Sequence, residues 1–113
     1  MAFTFKRTET FAVNVNVEMP SDDPRKPIKG SFTAKFKHLT KDQIRELQDD
    51  LAAKTVTDEQ FLDRYLVSVA GIGSEDGELS AEEQRALVYS EPVLTLAVVQ
   101  AFFAGITGAR KGN

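Results

Sequence analysis

Phe11, Val13, Val15, Val17 and Met19 alternate with Ala12, Asn14, Asn16 and Glu18. A period of two sends one row of side chains to a core and the other to water, so this stretch predicts a β-strand. Pro20 to Pro27 then places three prolines and four charged residues in eight positions. Proline has no backbone donor, so the ladder stops and a loop follows. From Gly30 to Lys37 the alternation resumes, with Phe32, Ala34 and Phe36 on one face and Ser31, Thr33, Lys35 and Lys37 on the other. The two segments predict an antiparallel hairpin. Two strands alone are marginal in water, so the Phe/Val face needs a helix, a third strand or a second subunit over it. Phe3 and Phe5 are candidates for a short extra strand.

Beyond residue 39 the period changes to that of a helix. Thr40 with Gln43, Thr57 with Gln60 and Ser80 with Glu83 each have the spacing of a capping box, in which a hydroxyl and a side chain three residues on satisfy one another's backbone N–H groups. The first box opens a helix over roughly 41–54 with the stripe Ile44, Leu47, Leu51. The second opens a helix carrying Phe61, Leu62, Tyr65, Leu66 and Val69 and stopping at Gly71. The third opens a helix through Leu87 and Val88, which Pro92 interrupts. Ser90 is the expected cap of a fourth helix, from about Glu91 to Thr107, with Pro92 in its first turn. The expected fold is α+β: an N-terminal antiparallel β-hairpin followed by a mainly α-helical bundle of about four helices. Residues 1–39 form the arm and hairpin and residues 40–113 the helical domain, packed as one compact unit.

At 113 residues, 42% apolar and with eight Phe, the chain has material for one packed core. It has no cysteine and one histidine, His38, which removes disulfides, thiol catalysis and multi-His metal sites. No stretch has the length of a signal peptide's apolar run or of a membrane span, so the expectation is a soluble, cytoplasmic protein. The net charge of −3 hides an asymmetry: residues 1–41 hold eight Lys/Arg against four Asp/Glu, residues 42–91 four against thirteen, and residues 92–113 two against none. A basic arm beside an acidic body steers partners, but Lys29, Lys35 and Lys37 read as the polar face of a strand, not as a nucleic-acid site.

Candidate chemistry is sparse. Asp76-Gly77-Glu78-Leu79-Ser80 with Glu83 resembles the second half of an EF-hand loop, but counting back puts Ile72 and Ser74 at the first and third ligand positions. Too few oxygens remain for calcium. A turn followed by a capped helix accounts for the same residues. The pairs Asp49-Asp50, Asp58-Glu59 and Glu82-Glu83 diverge by ~100° on a helix and share no face. No catalytic, cofactor or metal set emerges, and the chain reads as a non-enzymatic module that binds another protein.

The last helix is the most informative element. On a wheel, Leu94, Val98, Phe102 and Ile106 form one stripe, Leu96, Val99 and Phe103 a second beside it, and Ala97, Ala101 and Ala104 lie opposite, with no charged residue between Pro92 and Gly108. One stripe is expected in the core and the other against a partner, with Phe32 and Phe36 of the hairpin as a second contact surface. The surplus of apolar surface also predicts a homo-oligomer.

The order of elements resembles a known family. Gly30 to Leu39 (GSFTAKFKHL) leads into a helix, Phe61 to Gly73 (FLDRYLVSVAGIG) passes into the acidic turn Ser74 to Leu79, and Glu91-Pro92-Val93 opens an Ala- and Phe-rich helix ending in Gly108 to Asn113 (GARKGN). Over residues 28–113 this is similar to the phage tail assembly chaperones of long-tailed phages. The resemblance implies a non-enzymatic protein of the host cell cytoplasm that binds the tape measure protein, helps recruit tail tube subunits during tail assembly, and is also made in a longer, frameshifted form. An exposed tail after Gly108 would suit such an extension. The alternative is a degenerate EF-hand-like adaptor or regulatory domain.

Overall fold

The computed structural model describes residues 9–74 and 77–107. The first strand, β1 (Thr10–Met19), pairs antiparallel with β2 (Ile28–Lys37) in one unbroken register: Phe11 opposite Phe36, Val13 opposite Ala34, Val15 opposite Phe32 and Val17 opposite Gly30. All the large apolar side chains of the pair therefore fall on one face. The connecting loop is tied down: the Ser21 hydroxyl donates to the Lys26 carbonyl at 2.7 Å, and Asp23 Oδ1 accepts from the Arg25 N–H at 3.0 Å.

All three capping boxes are present. They open α1 (Lys41–Ala52), α2 (Asp58–Tyr65) and α3 (Ala81–Ser90), with Thr40, Thr57 and Ser80 accepting from the N–H of Gln43, Gln60 and Glu83 and each of those side chains accepting in return. The end of α1 is a Schellman turn: the Thr55 N–H reaches the Asp50 carbonyl at 3.0 Å and the Lys54 N–H reaches Leu51 at 3.2 Å. Lys54 sits in the left-handed region, at φ 61°.

The second helix is shorter than its apolar pattern predicts. It ends at Tyr65, and Leu66–Ala70 is a third strand, β3, antiparallel to β2. Gly71 thus follows the end of a strand and is not a helix stop. Leu66 and Val69, three apart, fit a helical period and not a period of two, but the two Val residues of Leu-Val-Ser-Val-Ala favour the extended form, and an irregularity at Val67 lets both buried side chains face inward. The open edge of β2 decides the matter, because pairing there satisfies backbone groups that solvent would otherwise have to take. Between Lys35 and Phe36 the register shifts, leaving Val67 as the extra residue of a bulge. The Arg85 guanidinium donates to the Leu66 carbonyl at 3.0 Å and to Val67 at 3.3 Å.

Two short strands, β4 (Gly73–Ser74) and β5 (Gly77–Glu78), pair with each other before α3. The Ser80 N–H is held by Glu83 Oε1 at 2.9 Å. Those hydrogen bonds hold the Glu83 carboxyl below the ordinary carboxylate range, burial acting slightly against them. The one carboxylate at a final calcium-ligand position therefore serves as a helix cap.

The last helix, α4 (Pro92–Thr107), starts from Glu91, whose carbonyl accepts from the Leu94 and Thr95 N–H groups. Ser90 is instead the last residue of α3, bonded back to Leu87, so the expected cap lies one residue further on. The two helices meet at 98°, and the Thr95 hydroxyl donates to the Val88 carbonyl across the corner. From there α4 runs over the inner face of the sheet. The architecture is α+β, an N-terminal hairpin followed by four helices, with the hairpin and the helices sharing one core. The expected extra strand at Phe3 and Phe5, the turn at Asp76 and the tail from Gly108 lie outside the described residues.

Candidate binding groove

Phe102 is the centre of the core. It is fully buried, with ring centroids 4.9 Å from both Phe36 and Phe61, 5.0 Å from Phe103 and 5.8 Å from Phe11. This cluster joins β1, β2, α2 and α4. The expected division of labour between two stripes of α4 is not what is found. Leu94, Val98 and Phe102 are buried and Ile106 packs half-buried against them; Val99 is buried too, and Phe103 stacks on Phe61 at 6.1 Å. Of the second stripe only Leu96 is open, at 53% exposure.

Phe36 is a core residue under Phe61 and Phe102 and offers no contact surface, whereas Phe32, although mostly buried, lines the groove described below, as does Leu94. Three large apolar side chains are exposed among the described residues: Ile28, Val67 and Leu96. The surplus surface that predicted self-association on these stripes is therefore mostly internal.

The accessible apolar surface lies elsewhere. β3 pairs with β2 only over Thr33–Phe36, and at Gly71 the chain adopts φ 101° and turns away. An L side chain is strained at that angle, which accounts for glycine there. The Ile72 N–H donates to Gln84 Oε1 at 3.0 Å and Gln84 Nε2 donates to the Leu79 carbonyl at 3.0 Å, so α3 holds the departing chain aside. What remains is a groove of about 360 Å³ between the outer half of the hairpin and the α3–α4 corner. Val17, Met19, Ile28, Phe32, Ile72, Leu87 and Leu94 supply its apolar lining, and Lys29 and Glu91 its charges. A volume in the ~300–1,000 Å³ range with apolar walls and few polar groups is what a small binding cleft requires.

Comparison with protein families, curated proteins and solved structures returned no match. The groove's chemistry thus rests on its own residues. Among the described residues no three His, Cys, Asp or Glu side chains stand close enough to hold a metal ion, and no single helix is long and apolar enough to cross a membrane. The polar residues that do converge outside the capping boxes brace the fold. Tyr89 donates to Asp63 at 2.6 Å and accepts from Arg85 at 3.3 Å, and Arg85 lies 5.5 Å over the Tyr89 ring. Burial, then the Asp63 hydrogen bond, push the Tyr89 hydroxyl above its ordinary value, so it stays a donor. This trio clamps the β3 bulge against α2 and α3.

Sequence reasoning missed Val17, Met19, Ile28, Ile72 and Leu87 as a set. The signal available was Ile28 itself, which extends the row Phe32, Ala34, Phe36 past Gly30 and so puts a large apolar side chain on the inner face at the loop end of the hairpin.

Proposed function

We propose that this chain is a non-enzymatic assembly chaperone that holds an apolar segment of a partner protein in the groove at the open end of its hairpin. The observation that carries the reading is the groove itself: apolar walls from β1, β2, the segment after β3, α3 and α4, opening to solvent, beside a core that is otherwise covered. Such a site masks a few apolar side chains of a client without enclosing it, which suits transient capture better than a permanent interface. The resemblance to the tail assembly chaperones supplies the partners: the tape measure protein as client, and tail tube subunits as the proteins brought to it, in the host cell cytoplasm. The EF-hand-like adaptor reading draws less support, since Glu83 is engaged as a cap.

The test is co-expression with a tape measure protein, the proposed client. The soluble yield of that protein should rise several-fold with the wild-type chain and fall back with Ile28→Lys, which puts a cation at the groove's mouth. A client equally insoluble with and without the chain would remove the proposal.

A further inference from the structure

The groove has one wall that is not a side chain. Over Ile28–Ser31, β2 is paired with β1 on one side and, among the described residues, with nothing on the other. Alternate N–H and C=O groups of this stretch therefore point in the sheet plane toward the groove. A bare edge of that kind is a template for one more strand. A helix satisfies its own backbone and would leave these groups unpaired, so the edge selects an extended occupant.

We propose that residues 1–8 of a second copy of this chain are that occupant, adding as a strand to Ile28–Ser31 and seating Phe3 and Phe5 in the groove. The segment Met-Ala-Phe-Thr-Phe-Lys-Arg-Thr has strand periodicity: Phe3, Phe5 and Arg7 share one face, and Ala2, Thr4 and Lys6 the other. The first face matches the groove in kind, two rings for its apolar walls and a cation for Glu91 on its lining. The second face continues the polar outer face of the sheet, where Ser31 and Lys29 already stand.

The arm of the same chain cannot do this. It enters at Glu9, whose carbonyl accepts from the His38 N–H at 2.9 Å, at the end of the sheet away from the groove. Phe5 lies five residues before Thr10, a span of at most ~18 Å. Ser31, the nearest residue of the bare edge, is six positions along β2 from Thr10's partner Lys37, so ~20 Å away and at least one strand spacing of ~4.8 Å across. Arm and groove at opposite ends of one molecule make a head-to-tail contact, which closes into rings or runs on as chains. The inference uses the groove of the preceding section but stands whether or not the tape measure protein is the client.

Two full-length variants test it. Phe3→Ser/Phe5→Ser spoils the arm and leaves the groove; Ile28→Lys spoils the groove and leaves the arm. Ile28 is 52% exposed, so its replacement leaves the core in place, and far-ultraviolet circular dichroism checks that both variants fold. In sedimentation velocity the wild-type chain should form larger species as concentration rises, and each variant alone should stay monomeric. Mixed together, the two variants should give a one-to-one dimer that grows no further, since each supplies the half that the other lacks. A wild-type chain monomeric at every concentration, variants that associate as it does, or a mixture that stays monomeric would each overturn the proposal.

Discussion

Gly105 lies where α4 crosses β1, and replacing it with alanine sets two effects of opposite sign against each other. Alanine at a helical position ordinarily gains about 1 kcal/mol over glycine, less in the last turn, where Gly105 stands. Here, however, a Cβ would sit 2.6 Å from Val13 Cγ1 and 3.8 Å from Val13 Cβ and Phe11 Cε2. Carbon atoms rest at ~3.5–4.0 Å, so one partner must retreat by ~1 Å. Val13 is ill placed to do so. It is β-branched and stiff about χ1, buried, and fixed opposite Ala34 in the hairpin. Overpacking of this size costs about 1–3 kcal/mol, so the net expectation for Gly105→Ala is a loss of about 1 kcal/mol. Urea unfolding should show a lower midpoint with an unchanged slope. In a Val13→Ala background the obstructing methyl is gone and the same substitution should become neutral or stabilising, a coupling of about 2 kcal/mol in the double-mutant cycle. If Gly105→Ala stabilises the wild-type protein, or if the cycle shows no coupling, the close crossing of α4 over β1 is wrong.

Lys54→Gly should stabilise by about 0.5–1 kcal/mol, because a left-handed residue with a Cβ costs ~1–2 kcal/mol and part of the relief is offset by the greater freedom of glycine in the unfolded chain; a lower urea midpoint for the glycine variant would contradict the Schellman geometry at the end of α1. The Glu83 cap should give a pH dependence of definite sign. Its carboxyl titrates lower in the folded than in the unfolded chain, so its contribution is present above the unfolded value and is lost as pH falls through the folded one. Glu83→Gln keeps the cap, as Gln43 and Gln60 do, without the titration: the wild-type protein should lose ground to it between pH 6 and pH 3 in thermal unfolding, and parallel curves would refute the assignment.

The features legible in the sequence were those fixed within a few residues. A capping box needs only positions i and i+3, and the boxes at Thr40, Thr57 and Ser80 open helices where that spacing puts them. The hairpin was legible because both faces are declared by alternation alone. The third strand was not, since the i, i+3 spacing of Leu66 and Val69 is that of a helix, and both face inward in the strand only through the bulge at Val67; the choice is made by the edge of β2, some thirty positions earlier. The groove was less legible still. Its lining comes from β1, β2, the segment after β3 and the α3–α4 corner, and no local period links Val17 to Leu87. A helical wheel likewise gives direction but not depth, which is why α4 read as two stripes with separate duties when both contribute buried side chains, Leu94, Val98 and Phe102 from one and Val99 from the other.

Among the described elements, the cover of the sheet is the last to be synthesised. Phe11 and Val13, near the start of the chain, reach their packing partners Phe102 and Gly105 only after almost the whole sequence has been made. At ~5–20 residues per second, the residues between the end of β2 at Lys37 and the end of α4 at Thr107 take roughly 4–14 s to add, and the hairpin is uncovered for that interval. During that interval the Phe/Val face and the edges of β1 and β2 are open to any neighbouring chain. Closure of the sheet by α4 is therefore a contact of long sequence separation, of the kind whose loop entropy must be met before its packing is gained.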